Sequence, residues 1–392
     1  MLIFLGSTLP CLSNDVPPPP KIRLVGPDEV VIPAEAFTCS RRESPTNGAL
    51  ALDVPDAPPR MIKRENGEIE LIAAHHNNIP FYSNDGRAFS RKDCRSILPS
   101  KQDFNPSHFA DQDWITGLVT TNGKDVYALV HDEFHGPAYL SECAARLKPG
   151  QPYWAPICLS VNMVSFASHD GGNTFSPLSG ELHTAASVPT TFSTSIDSIG
   201  IRDSSNVVSN PADGYYYFMA RAMPFSPQTG GTCLFRTPNP FTQPWLAWDG
   251  DSFKTRMGSP YSDDKEHTGT CLPVIDNSYY VATISYNTKI RKFIAIARSN
   301  KRVIVAMVSA DLIHWSTPVT LRTSVADNWW RPGQGDPDPD SFYSIIDLTS
   351  ESRFYDVSGD TPYLYYVRWR TTSGKVLNHQ RDIVRTAIEI AH

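Results

Sequence analysis

Three copies of one turn pattern constrain this chain more than any other feature: Ser83-Asn-Asp85-Gly-Arg-Ala-Phe89, Ser168-His-Asp170-Gly-Gly172-Asn-Thr174-Phe175 and Ser309-Ala-Asp311-Leu-Ile-His-Trp315. In each, the Ser and Asp side chains can bond backbone N–H groups inside a tight turn, and the closing aromatic folds back onto neighbouring strands. Gly in the first two copies accepts a positive φ. A turn that returns at long intervals signals one supersecondary unit used repeatedly.

Between the turns lie runs rich in Tyr, Val and Ile, cut by Gly, Asn, Asp and Pro, and no segment keeps an i, i+3, i+4, i+7 apolar stripe. The runs come in pairs: 60–63 before 69–74, 114–120 before 126–130, 206–208 before 215–220, 280–285 before 292–297, and 343–346 before 363–367. Five pairs about 60 to 90 residues apart match the scale of a propeller blade with variable loops. The expected fold is all-β, a single five-bladed β-propeller over residues 56–392, with a leader and proline-rich linker at 1–20 and an extension at 21–55.

A net charge of −6 over 392 residues, with no basic stripe interleaved with aromatics, argues against a nucleic-acid partner. No apolar run reaches the roughly 18 residues of a membrane span, and a monomer is expected. The opening apolar stretch, followed by a proline run, reads as an export segment without the usual positive start, so a secreted or extracytoplasmic protein is expected. Seven cysteines include no C-x-x-C pair that would suggest zinc. With Cys11 set aside in the leader, Cys143 with Cys158, Cys233 with Cys271 and Cys39 with Cys94 are the expected disulfides; free core thiols are the alternative. The acid-rich run from Asp327 through Asp336 to Asp340 has spaced oxygen ligands but lacks the terminal Glu of a calcium loop, and reads as a solvated loop. No cofactor and no metal are assigned.

Successive strands of a blade are antiparallel, so the start of each innermost strand and the end of the next emerge on one side. Reading those ends collects His75 and His76, the run His131-Asp132-Glu133-Phe134-His135, and Arg221, Arg298 and Arg368. The strand starts add Asp111, Asp113 and Trp114, then Ser204, Ser205 and Asn206, then Asp338 and Asp340. Glycoside hydrolysis needs two carboxyl groups in opposite proton states, which such a funnel can supply. Asp113 is therefore expected as general base or nucleophile, with the Trp114 ring stacking on a sugar. Glu133, at the end of an apolar strand, is expected to have a raised pKa and to act as general acid. His75, His131, His135, Asn206, Arg221, Asp340 and Arg368 are expected to bind substrate.

Plainer readings stand beside these. A single Asp at a strand entry, such as Asp111, Asp338 or Asp340, is an ordinary turn former. Glu133 can pair with an Arg, and Arg221 and Arg368 with acids. His131, Glu133 and His135 share one side of a strand, a spacing that permits a metal, but no second cluster completes the set.

The middle turn fits the Asp-box consensus S-x-D-x-G-x-T-[WF] and resembles the repeated turns of sialidase-like β-propellers. The S-x-D-L-x-x-W form of the third resembles the outer turn of five-bladed glycosidase propellers. Asp93-Cys-Arg95, Phe109-Ala-Asp111-Gln-Asp113-Trp-Ile115, Tyr127-Ala-Leu-Val-His-Asp-Glu-Phe-His-Gly136, Ser205-Asn206 and Tyr363-Leu-Tyr-Tyr-Val-Arg368 together resemble a poorly characterised family of secreted propeller proteins, over about residues 60 to 390. More distantly the chain resembles arabinanases, β-xylosidases and invertases. The resemblance implies catalytic acids in a central funnel; the acid motifs that define those families are not plainly present, so no residue role is transferred. The expected function is a secreted carbohydrate-active propeller, a glycoside hydrolase acting on a polysaccharide. The alternatives are a noncatalytic glycan-binding propeller and a protein-binding scaffold.

Overall fold

A computed structural model describes residues 17–39, 41–42, 50–51, 53–73, 75, 77–263, 269–301, 303–323 and 338–391. Cys11, His76 and the acid-rich run from Asp327 to Asp336 lie outside them. The strands in chain order are β1 (Lys21–Ile32), β2 (Arg41–Arg42), β3 (Leu50–Ala51), β4 (Arg60–Lys63), β5 (Ile69–Ile72), β6 (Phe81–Ser83), β7 (Gln112–Val119) and β8 (Val126–His135). Two single-turn helices follow, α1 (Gly136–Tyr139) and α2 (Ser141–Ala144). Next come β9 (Leu159–Ser168), β10 (Ser176–Pro177), β11 (Thr184–Ala186), β12 (Ser198–Arg202), β13 (Val208–Ser209), β14 (Tyr216–Ala222), β15 (Gly231–Thr237), β16 (Leu246–Trp248) and β17 (Phe253–Thr255). The last are β18 (Tyr279–Asn287), β19 (Lys292–Ser299), β20 (Val303–Ser309), β21 (Val319–Thr323), β22 (Asp340–Ile346), β23 (Val357–Ser358), β24 (Tyr363–Thr372) and β25 (Lys375–Ala391). The fold is all-β apart from these short helices and a few 3-10 turns. Among the described residues no helix is long and apolar enough to cross a membrane.

All five expected strand pairs are antiparallel ladders: β4 with β5, β7 with β8, β13 with β14, β18 with β19 and β22 with β24. Their hydrogen bonding nevertheless departs from a closed single propeller. Strands β7 to β17 join in one eleven-stranded sheet, β4 to β6 form a sheet of three, and β2 and β3 a separate ribbon. The join is a parallel pairing of β12 with β9 that sets Gly200 opposite Val161. Gly200 has φ +135°, and a Cβ there would lie 1.9 Å from the Val161 carbonyl oxygen, so only glycine admits this approach. β1 pairs antiparallel with β25 in a four-stranded sheet, tying the start of the described chain to its end.

The interior strands are buried on both faces. β8 and β9 are almost wholly covered, which is why they read as continuous apolar runs rather than alternating ones. The apolar core has five parts. Ile62 and Ile72 meet Ile115 and Val126; Leu129 and Met163 meet Phe218 and Phe235; Met219 and Leu234 meet Ile284 and Phe293; Ile294 and Ile304 meet Tyr343 and Tyr366. In the fifth, Ile346, Tyr365 and Ile383 meet Met61, Leu71 and Phe81, so the last strands pack against the first.

The three Ser-x-Asp turns carry one hydrogen-bond pattern. Ser83, Ser168 and Ser309 each donate to the Asp two residues on, at 3.0, 2.7 and 3.0 Å. Their hydroxyls accept from the N–H of Gly86, Gly172 and Leu312, at 2.9 Å in every case. Cys39–Cys94, Cys143–Cys158 and Cys233–Cys271 are disulfides with Cα atoms 5.4, 5.8 and 5.9 Å apart.

Arg60, buried at the start of β4, cross-links three other strands. It donates to the Thr116 carbonyl of β7 at 2.6 Å, to Ser344 Oγ of β22 at 2.6 Å and to the Ala282 carbonyl of β18 at 2.9 Å. Burial pulls its pKa down to about 9, yet the guanidinium remains charged at neutral pH. Arg60→Ala leaves a cavity and three orphaned acceptors, so a loss of about 3 kcal/mol or more is expected, read as a lower denaturation midpoint. A midpoint equal to that of the parent would show that the cross-link carries no stability.

Candidate active site

The β7–β8 hairpin builds the most chemically loaded surface. Its register sets Gln112 opposite Glu133, Asp113 opposite Asp132 and Trp114 opposite His131. Side chains alternate across a sheet, so Trp114, His131, Glu133 and His135 share one face and Asp113 and Asp132 take the other. On the first face Glu133 is gripped at both oxygens: Oε1 lies 2.8 Å from His131 Nε2 and Oε2 lies 3.0 Å from His135 Nε2. Burial pushes the carboxyl up, but the two imidazole hydrogen bonds and their charge outweigh it and hold Glu133 well below the usual range. An ionised carboxylate only accepts, so each Nε2 carries its hydrogen toward Glu133. The Glu133 side chain keeps 20% of its surface exposed.

Aromatic rings frame the carboxylate. The Trp114 indole lies edge-on to His131, with centroids 5.8 Å apart, and 6.3 Å from His75. Tyr153 stands edge-on to His135 at 5.7 Å. From β12 and β14, Arg202 and Arg221 face one another across the ladder. Both approach Asp203 Oδ2, at 3.1 and 3.9 Å, and Arg221 also donates to Asn277 at 2.9 Å and stacks over Tyr280 at 4.2 Å. The Asp203 carboxylate, against the cost of burial and with a contribution from Glu133, holds Arg202 above its ordinary value. Asp203 has φ +52°, a left-handed position uncommon for a residue with a side chain. Sequence reasoning missed Arg202, Asp203, Tyr153 and Tyr280; for Arg202-Asp203 the available signal was a charged pair ending the apolar run 199–201.

The expected acid–base pair is not supported by this geometry. Asp113 is 1% exposed on the face away from Glu133, and burial, then the charge of Asp111, raises it to about 8. Asp111 accepts from Tyr139 Oη at 2.5 Å and from the His135 N–H at 3.0 Å, and burial raises it to about 6. Asp132 accepts from the Asp111 N–H at 3.0 Å and is raised as well, first by burial and then by its two acidic neighbours. The expected proton states are thus exchanged: Asp113 is the protonated group and Glu133 the ionised one.

Asn206 is removed from the binding set because its amide is fully used. It donates to the carbonyls of Val207 and Ile284 at 3.0 and 2.9 Å, and accepts from Thr283 Oγ1 and the Ile284 N–H at 3.0 and 2.8 Å. Asp340 accepts from Tyr343 at 2.6 Å and from Arg322 at 3.1 Å, and Arg368 pairs with Asp382 at 3.2 Å. These internal pairs match the plainer reading of both residues. Asp338 accepts from Thr371 at 2.6 Å, as a turn-side acid does. Of the expected site residues, the structure brings together His75, Trp114, His131, Glu133 and His135, whereas Arg221 stands on β14, separated from β8 by β9 and β12.

Among the described residues no group of three or more His, Cys, Asp or Glu side chains is arranged to hold a metal ion. A concavity of about 340 Å³ lies elsewhere, lined by Lys101, Asp103, His108, Phe109, Phe166 and His183 among others. Its Asp103–His108 pair at 2.8 Å has a His side chain 57% exposed, and solvent screens such a pair. The half-buried Glu133 group is the better candidate for chemistry.

No protein-family model matches the chain, and no curated protein sequence matches it significantly. Among solved structures the fold is similar to that of a protein of unknown function from Dyadobacter fermentans, with 14% identity, 95% of this chain and 100% of that one covered, and a TM-score of 0.50. It is also similar to that of a glycosyl hydrolase from Bacteroides ovatus, with 9% identity, 95% of each chain covered and a TM-score of 0.50. At such identities the likeness concerns the fold alone.

Proposed function

We propose that this chain is a secreted carbohydrate-active protein, a glycoside hydrolase in which Glu133 is the ionised carboxylate. The observation that carries the reading is the pairing of Glu133 with His131 and His135, at 2.8 and 3.0 Å, beside the Trp114 indole. That one place combines a carboxylate kept ionised, imidazoles able to pass a proton, and an aromatic ring for a sugar face. Glu133 would accept a proton from the attacking water or itself attack the anomeric carbon, and the leaving glycosyl oxygen would take its proton from solvent. His75, Arg221 and Arg202 would hold hydroxyls around it. The similar glycosyl hydrolase raises this reading by analogy of fold only.

The five strand groups are read as blades of a five-bladed propeller, and the three turns as Asp boxes. Five cores packed in cyclic order and one repeated hydrogen-bond pattern support that reading. Three disulfides favour an oxidising compartment.

One observation favours a noncatalytic glycan-binding role: both Glu133 oxygens already have imidazole partners. A panel of plant and microbial glycans, scored for both retention and reducing-end release, separates the two. Release by the parent protein supports hydrolysis, retention without release supports lectin-like binding, and the absence of both rejects the carbohydrate reading.

A further inference from the structure

The chain leaves β8 through α1 and α2 and returns to β9 by a loop closed by the Cys143–Cys158 disulfide. Near its tip Trp154 is 48% exposed, one of few large apolar side chains so placed among the described residues. The preceding residue, Tyr153, packs on His135, whose Nε2 holds Glu133 at 3.0 Å. The exposed Trp154 is thus one residue along the chain from the ring that covers His135.

The loop is built to be stiff. Gly136 sits so close to the disulfide that a Cβ would lie 2.8 Å from Cys158 Cβ and 2.9 Å from Cys143 Sγ. Arg146 reaches out of the loop to the carbonyls of Thr194 and Ile196, both at 2.6 Å, and to the Asp197 carboxylate. The Leu159 N–H bonds the Asp197 carbonyl at 2.8 Å, so both ends of the loop are tied to the 194–197 segment. A loop held this way loses little freedom when a ligand covers it, and Trp offers a large rigid amphipathic face at low entropic cost. A single ring bordering a polar, acid-bearing site suits a sugar face better than the broad apolar patch of a protein interface.

We propose that the Cys143–Cys158 loop is a substrate-recognition rim, on which Trp154 stacks against a pyranose ring of a glycan chain extending past Glu133; this rests on the carbohydrate reading above. The test measures binding of xylo-, arabino-, manno- and galacto-oligosaccharides of graded length to the parent, Trp154→Ala and Trp154→Phe. For the longer chains Trp154→Ala is expected to bind about tenfold more weakly, the scale of one lost aromatic contact. Trp154→Phe should recover part of that loss, and disaccharides should show less of it. The shift in tryptophan emission on ligand binding should shrink in both variants. Equal affinities of parent and variants across all lengths would overturn the rim while leaving the carbohydrate reading intact. A parent that binds no oligosaccharide of any length overturns both.

Discussion

Glu133→Gln is expected to lower turnover of any glycan the parent cleaves by about 100-fold or more, the scale of lost acid–base or nucleophilic participation. The substitution keeps the side-chain shape but removes the charge that both imidazoles address. One of the two Nε2 hydrogens would then face an amide N–H₂ instead of an oxygen, so at least one ring must change tautomer or turn away. Trp114 is untouched, so on the carbohydrate reading affinity for the same glycan should change far less than turnover, a split seen by comparing single-turnover rates with equilibrium binding. Because its two His partners hold Glu133 low, activity should persist below the pH at which an ordinary carboxylate is protonated. Asp113→Asn supplies the contrast, since that side chain points to the other face of the hairpin. An equal loss in both variants would return Asp113 to the reacting pair.

Stability is expected to fall as pH rises from about 5 to 8.5, against the habit of many proteins that weaken first in acid. Asp113 and Glu70 are raised to about 8 and Asp111 to about 6, chiefly by burial, and Asp132 is raised well above its ordinary value. In the unfolded chain these groups ionise near 4, so between that value and their folded pKa the native state holds more protons. Their contribution is complete below the unfolded pKa and is lost as pH climbs through the folded one, at about 1.4 kcal/mol per pH unit for each proton held. Glu133 works in the opposite sense: its contribution is present above the unfolded pKa and disappears as pH falls through its depressed folded value. Denaturant midpoints at pH 5, 7 and 8.5 should therefore decline in that order. Asp113→Asn, which carries no charge to bury, should flatten the decline; a profile that is flat in the parent would contradict the burial account.

Local chemistry made much of this protein legible without a structure. The all-β character, the five strand pairs and the bonding of the Ser-x-Asp turns follow from alternation and turn geometry, which act over a few residues. The Cys143–Cys158 and Cys233–Cys271 pairings followed from matching cysteines to adjacent strand groups. The shared face of His131, Glu133 and His135 follows from the two-residue period of a strand. Other features depend on groups far apart in the chain. Asn206 was read as a sugar ligand because its side chain could not be seen spending all its bonds on Val207, Thr283 and Ile284. The parallel contact of β12 with β9, which merges two strand groups, hangs on the space beside Gly200.

The proton states were the least legible feature. Glu133 ends an apolar strand and Asp113 begins one, and from sequence that context made Glu133 the protonated acid; the fold reverses the pair. Desolvation is set by what covers a carboxyl, and its opposition by what bonds to it, and both are properties of assembled strands. The sequence alone determined which residue types lie on which face of each strand. The tertiary structure alone decided which carboxyls are dry, which are held by imidazoles and which merely close an ion pair, because those energies arise only when distant segments exclude water together.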